Sequence, residues 1–415
     1  MVTMNYLKLA KEDFLGAGDA CVKRVDYLVS KGVNAKLIVF HKTTDNPNVI
    51  GMYSQNSFWG RLGIKITKRI VEMYKKRHFK VANNKYEMIN MEIGIISANH
   101  ILSLYGDIPD VIDVSWVSDF VTTKTIQKLK EITGARIVYT MNDSAHYTGG
   151  CHYPWDCKGF ERNCFPCPAL FAGDRTAEIT LRKKQAHIPK GTVLIGSKYD
   201  CERAKESILF KDGMTIMPSI KVSANPYYYD KSVGRDKWRI PSDHTVIFFG
   251  ASNTAYERKG FKELLLALDY ISNKRKLSDV TLLVAGKCDK KIDCATNIIY
   301  TGNLGQEDLF KAYYCADIYL SPSLEDSGPV MLKYAFMANI PVVCFPVGYA
   351  IDLIKHKQNG YVAEWRSPED FGEGIMYWLD ADNLKLRSLI ECNKNIVEML
   401  KKRLTLDKYL GIEGQ

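Results

Sequence analysis

No stretch of the chain approaches the ~18 consecutive apolar residues that a membrane-spanning helix needs, and the opening MVTMNYLKLAKEDF lacks the apolar core of a secretory signal. Short-period repeats and low-complexity tracts are also missing, which excludes solenoids, coiled coils and disordered tails. An Asp-x-Asp pair at a strand end, a common metal-holding motif, is absent too. The only pair of that kind, Asp380-Ala381-Asp382, falls late in helical surroundings. What remains is an ordinary globular composition, 46% hydrophobic and 25% charged over 415 residues, enough for two or three domains. The expected setting is cytoplasmic.

Charge is unevenly spread. Between Arg61 and Lys80 stand eight Lys or Arg and one Glu, a net +7 of the chain's formal +10. Leu62, Ile66, Ile70 and Met73 recur at helical spacing, while Lys65, Lys68, Arg69 and Lys76 share another face. Such a helix either packs its apolar side on a core or lies on an anionic membrane surface, on the inner face of the cell membrane for a cytoplasmic protein. Nucleic acid is not expected as a partner, since Tyr74 and Phe79 show no interleaved stacking pattern.

The chain alternates short apolar runs with helix-length segments. Tyr6–Ala10, Lys36–Phe40, Val111–Trp116, Arg136–Met141, Thr192–Gly196 and Thr215–Pro218 read as strands of a first sheet. Val246–Gly250, Thr281–Ala285, Ile298–Thr301, Ile318–Leu320 and Val342–Phe345 read as strands of a second. The expectation is two doubly wound α/β domains, over 1–222 and 240–390, with a polar linker between Ser219 and Asp243.

Four stretches carry chemistry. After the first strand, Gly16, Ala17 and Gly18 precede a helical segment at Ala20, where bare backbone N–H groups can approach a diphosphate. Arg258-Lys259-Gly260 lies between a strand and a helix, a common place for cations that clamp phosphate. From Tyr319 onward a strand breaks at Ser321-Pro322-Ser323. Glu325, Asp326, Ser327, Gly328 and Pro329 then lead into a helix, which is the layout of a ligand site at a helix N-terminus. Finally, Cys151, Cys157, Cys164 and Cys167 form C-x5-C-x6-C-x2-C. That density leaves open a tetrahedral structural zinc, with His152 a spare ligand, or a cluster of reduced or paired thiols.

The stretch SPSLEDSGPVMLKYAFMANIPVVCFPVG resembles the donor-sugar signature of retaining glycosyltransferases of the GT-B fold, family 4. Glu325, Ser327, Gly328 and Pro341-Val342-Val343 match, and Lys333 stands where the family's second Glu sits. VYTMNDSAHYTGGCHYPWDCKGFERNCFPCPAL is similar to a polysaccharide-synthesising bacterial subgroup. Thr148–Tyr153 and Asp143 match there, and Asn142 replaces the usual His, with His146 the candidate substitute. The Arg258-Lys259-Gly260 element resembles the family's phosphate clamp, although Ala251 stands where another Arg is frequent.

The resemblance implies two Rossmann-like domains facing a cleft, with a Cys-rich excursion at 148–170 and a helix at 391–415 crossing back to the first domain. It implies transfer of a sugar from a nucleoside diphosphate donor to a growing glycan, with retention, in capsule, O-antigen or exopolysaccharide synthesis. The acceptor would be a lipid-linked oligosaccharide met at the membrane by the basic helix, and no cofactor is required. The diphosphate falls to Gly16–Gly18, Arg258 and Lys259, and the sugar to Glu325 with Ser327, Gly328 and Pro329. Lys333, in the place of the family's ribose-binding Glu, does not carry that contact over and is a candidate for a different ribose or phosphate contact, while Asn142, Asp143 and His146 face the reacting centre. Two other readings stand beside it: a nucleotide-sugar epimerase on the same fold, and an inactive homologue that binds a partner or a glycan.

Overall fold

The computed structural model describes residues 4–53, 58–78, 80–88, 92–94, 96–210, 214–218, 227–288, 292, 296–328, 330–402 and 405–411. The chain divides into two compact units: Met1–Ser219 with Thr405–Gln415, and Ile220–Leu404.

Unit 1 runs β1 (Asn5–Glu12), α1 (Leu15–Ser30), β2 (Asn34–His41), β3 (Val49–Gly51), α2 (Phe58–His78), α3 (Ala98–Tyr105), β4 (Val111–Val114), α4 (Thr123–Thr133), β5 (Arg136–Thr140), α5 (Thr176–His187), β6 (Val193–Gly196), α6 (Lys198–Glu206) and β7 (Thr215–Pro218). Its described strands pair in parallel in the order β3-β2-β1-β4-β5-β6-β7. The order reverses between β1 and β4, a topological switch point. Strands such as β4 and β6 are buried at every position, as sheets covered on both faces require. Some helices begin where hydroxyl side chains take up orphan N–H groups. Thr122 accepts from Thr125 ahead of α4 and Ser197 from Asp200 ahead of α6.

Unit 2 runs α7 (Lys231–Trp238), β8 (Thr245–Asn253), α8 (Phe261–Ser272), β9 (Val280–Lys287), β10 (Asn297–Gly302), α9 (Gln306–Cys315), β11 (Ile318–Ser321), α10 (Val330–Met337), β12 (Val342–Cys344), α11 (Tyr349–Leu353), β13 (Gly360–Val362), α12 (Pro368–Leu379) and α13 (Asn383–Lys402). The described strands are again parallel, in the order β10-β9-β8-β11-β12-β13, with the reversal between β8 and β11.

Two boundaries differ from expectation. The polar stretch taken as a linker up to Asp243 contains α7, which belongs to unit 2. Its Gly234 lies so close to α9 that a Cβ would sit 2.5 Å from the Lys311 carbonyl oxygen. Asp317 ties α7 down by pairing with Lys231 and, at 3.0 Å, with Arg235. The return to unit 1 begins at 405, not 391. α13 buries Cys392 and Ile396 in the unit 2 core, whereas α14 (Thr405–Leu410) buries Leu406 and Leu410 in unit 1 and pairs Asp407 with the buried Arg24 at 2.5 Å. The Asp380-Ala381-Asp382 pair follows α12, and Asp380 is bound to Arg275 at 2.9 Å.

Candidate functional site

In unit 2 the two strands flanking the switch point send their C-terminal ends into the residues singled out by sequence. After β8, a single 3₁₀ turn at Glu257–Lys259 presents Arg258 and Lys259, and Gly260 then starts α8 at φ +68°. A Cβ on Gly260 would land on the carbonyl oxygen of Pro322, so this position is restricted to Gly on two grounds, its left-handed backbone and the contact. The carbonyl of Arg258 accepts N–H bonds from Leu324 at 2.8 Å and Glu325 at 3.4 Å. Trp365 donates its indole N–H to the Leu324 carbonyl at 3.2 Å. The cation turn and the acidic loop are thus one fixed object.

At its centre lies Asp326. One carboxylate oxygen accepts from the Lys259 ammonium and lies 3.5 Å from the Arg258 guanidinium, and the other accepts the Gly328 N–H at 3.2 Å. Burial alone would raise this carboxyl. The charges of Lys259 and Arg258 and the hydrogen bonds bring it below the ordinary range instead. Two cations thus converge on one anion at the switch point of the sheet. Glu325 and Ser327 are buried beside it, and Pro329 lies outside the described residues. Of the amides assigned to the sugar, Gly328's is taken by Asp326, and Pro329 has none.

Lys333, from α10, is 9% exposed, with its ammonium 4.8 Å from the centre of the Tyr349 ring. Burial pulls its pKa down to about 8. The same ring leaves no room at Gly328, where a Cβ would approach it to 2.5 Å.

In unit 1, Gly16, Ala17 and Gly18 do not form a loop; they are in the first turn of α1, which begins at Leu15 behind Phe14. Gly18 allows that turn to close on the end of β1, since a Cβ there would sit 2.7 Å from the Glu12 carbonyl oxygen. The free N–H groups of the turn remain, so its anion affinity would come from the helix terminus.

Beyond β5, Asp143 caps the short turn Ser144–His146 through the Ala145 N–H at 2.8 Å. Its other oxygen lies 2.8 Å from His152 Nδ1, and His152 Nε2 lies 3.2 Å from Ser118 Oγ. Both ring nitrogens are therefore occupied, which removes His152 as a spare metal ligand. Burial would raise the Asp143 carboxyl, but His152, His146 and the Ala145 amide bring it below the usual value. His146 is not a surface residue, for its ring stacks on Tyr139 at 5.0 Å, and burial pulls its pKa to about 4. It is neutral at pH 7. The Asn142 amide nitrogen is buried without a hydrogen-bond partner.

The four cysteines of the excursion surround one small cavity, and burial pushes the thiols of Cys151, Cys164 and Cys167 up. Among the described residues no group of three or more His, Cys, Asp or Glu side chains stands in a metal-holding arrangement.

The basic helix forms as α2, but its apolar stripe does not face the core. Thr67 and Val71 are buried, whereas Ile66, Ile70, Met73 and Tyr74 are 49%, 39%, 56% and 41% exposed. Lys65, Lys68, Arg69 and Lys76 are exposed as well, while Lys75 pairs with Asp119 at 2.6 Å. No helix among the described residues is long and apolar enough to cross a membrane.

Sequence reasoning passed over Asp326 as the counter-ion of the clamp. Position alone gives no signal for it, because Lys259 and Asp326 meet only when β8 and β11 pair.

Residues 243–381 match the family described as Glycosyl transferases group 1. An uncharacterized glycosyltransferase of Methanocaldococcus jannaschii is 23% identical over 167 residues, 36% of this chain and 42% of that protein, so the match spans less than half of that relative. Among solved structures, sucrose-phosphate synthase from Thermosynechococcus elongatus superposes with a TM-score of 0.62 at 14% identity, over 95% of this chain and 94% of that one. A glycosyltransferase from Rickettsia africae gives 0.61 at 15% identity over 100% of both chains. HepE of Anabaena in complex with UDP gives 0.60 at 11% identity, over 98% and 100%. The fold is GT-B, two parallel α/β units with interleaved helices.

Proposed function

We propose that the chain is a glycosyltransferase that takes a sugar from a nucleoside diphosphate donor to a growing glycan with retention of configuration. The observation that carries this is the convergence of Arg258 and Lys259 on Asp326 at the β8/β11 switch point, inside the segment that matches the group 1 family. Asp326 occupies the place of an anion that the site is built to receive. A diphosphate brings more charge and more acceptor oxygens than one carboxylate, and so competes for the same two cations.

The chemistry then follows from charge. As the bond between sugar and diphosphate breaks, negative charge gathers on the leaving oxygens. Two fixed cations stabilise that charge without reorganising. Glu325, buried next to the clamp, holds sugar hydroxyls through its carboxylate. The acceptor hydroxyl gives its proton to the leaving phosphate, so no side-chain base is needed, consistent with a His146 too weakly basic to serve at pH 7. Asn142, with its unpartnered amide, is assigned to hydroxyl contact, and Asp143 to holding that turn through His152. Gly16–Gly18 offer the first-turn amides of α1 to phosphate.

The acceptor is a lipid-linked oligosaccharide of a capsule, O-antigen or exopolysaccharide pathway. It is met at an anionic membrane surface by α2, whose exposed Ile66, Ile70 and Met73 lie among exposed Lys and Arg. A structural neighbour bound to UDP makes that nucleotide the first to test.

Calorimetric titration of the chain with UDP, GDP, CDP and dTDP, alongside Lys259→Ala, tests the proposal. Micromolar binding of one nucleotide that the variant weakens at least tenfold supports a transferase. A folded protein that binds none refutes the donor site and favours a non-catalytic homologue, which Asn142, Ala251 and Lys333 would then explain.

A further inference from the structure

The Cys-rich excursion has no part in the donor chemistry, and its interior is unlike the rest of unit 1. Cys151, Cys157, Cys164 and Cys167 line a single cavity of about 10 Å3, closed otherwise by largely apolar groups such as Tyr86, Met88, Phe160 and Ala177. That volume holds one atom-sized species. Water is a poor candidate, since it needs two to four polar partners and these walls offer few.

Backbone N–H groups stand beside three of the four sulfurs. The Gly159 N–H points at Cys157 Sγ from 3.4 Å, and the Gly149 N–H serves Cys164. The amides of Ala169 and Leu170 serve Cys167, while the Thr148 hydroxyl, which lies against Cys151, donates to the Cys151 carbonyl oxygen at 2.6 Å. Two glycines make the approach possible. A Cβ on Gly149 would stand 2.9 Å from Cys164 Sγ, and one on Gly159 would touch both Cys157 Sγ at 3.4 Å and Cys164 Sγ at 3.8 Å.

Next to the cluster is a buried charge. Lys184, from α5, is 2% exposed and donates to the carbonyls of Ala145 at 2.6 Å and Thr148 at 3.0 Å. Among the described residues no carboxylate lies within ion-pair distance of it; Glu92 acts on its charge first, then Cys151 and Cys164, then Asp143. A buried ammonium is costly unless anions stand close by.

We propose that these four cysteines bind one structural Zn2+ as a tetrathiolate, with Lys184 as its counter-charge. Four thiols give up their protons to solvent on binding, which leaves a centre of net charge −2 that Lys184 partly neutralises. The sulfurs stand around the cavity rather than in a ready cage, so the ion draws them inward to about 2.3 Å each. With four protein ligands it has no open position, and its role is to pin the excursion, and with it the turn that carries His152 and Asp143.

The test uses the full chain, purified without chelator and dialysed. Elemental analysis is expected to find one zinc per chain, and growth with Co2+ should give sulfur-to-metal charge-transfer bands and tetrahedral d–d bands. Cys164→Ser with Cys167→Ser should lose the metal. Should that variant fail to fold, the cobalt spectrum of the unaltered chain decides. Zinc-free protein with no cobalt spectrum, whether its four thiols react freely or mass spectrometry finds them paired as disulfides, overturns the proposal.

Discussion

Gly260→Ala should damage unit 2 by more than its backbone conformation explains. At φ +68° an Ala pays roughly 1–2 kcal/mol for the left-handed region. Gly302→Ala provides the control, because Gly302 has φ +70° and nothing within 4 Å of its added Cβ. For a domain of this size each kcal/mol lowers the melting temperature by roughly 2–4 °C, so Gly302→Ala should lose about 2–8 °C. At Gly260 the new methyl also meets the Pro322 carbonyl, and forced overlap of this kind adds about 1–3 kcal/mol. The total, roughly 2–5 kcal/mol, corresponds to about 4–20 °C. The overlap can be relieved only by separating the cation turn from the loop whose Leu324 and Glu325 amides hold the Arg258 carbonyl. Nucleotide binding should therefore fall at least tenfold in Gly260→Ala and hold steady in Gly302→Ala. Differential scanning calorimetry and isothermal titration of both variants give the two readings. Equal melting losses, or unaltered nucleotide affinity in Gly260→Ala, would refute the claim that this contact fixes the clamp.

Three further outcomes are expected. Lys333→Met should stabilise unit 2 at pH 7 by up to about 3 kcal/mol, because burial lowers Lys333 from 10.5 to about 8 and each unit is worth ~1.4 kcal/mol. The unfolded chain binds the proton more tightly, so the advantage shrinks as pH rises from about 8 and is gone above about 10.5. An advantage in urea midpoints that persists there would assign the effect to packing. Asp326→Asn should destabilise at pH 7 by about 1–3 kcal/mol, since two cations lose their anion. The lowered carboxyl contributes fully above the ordinary Asp range and loses its contribution as pH falls through the folded value, so variant and parent should converge in strong acid. Reversing Lys65, Lys68 and Arg69 to Glu should weaken binding to vesicles rich in phosphatidylglycerol by two orders of magnitude or more at moderate salt, at ~1 kcal/mol per cation. Unchanged sedimentation with vesicles would remove α2 as the membrane contact.

The strands were readable because each is a short apolar run whose burial on both faces is written locally, as in Val111–Val114 and Val342–Cys344. The strands β3 and β13 escaped, since Val49–Gly51 and Gly360–Val362 are interrupted by Gly, lack the unbroken apolar run of Val342–Cys344, and exist only as edges added to sheets already formed. Arg258, Lys259 and Glu325 were readable as chemistry by their types and by their place between strand and helix. What the sequence alone determined, then, was two parallel α/β units and a cationic turn and an acidic loop at strand ends, because propensity and hydrophobic pattern act over a few residues. Tertiary structure decided the rest. It made Asp326 the partner of Lys259, Gly260 a contact with Pro322, and His152 a link between Ser118 and Asp143 in place of a metal ligand. It turned Ile66, Ile70 and Met73 outward, and set four cysteines and Lys184 around one interior. Each of these depends on residues far apart in the chain meeting only after the sheets close, and no local pattern encodes such a meeting.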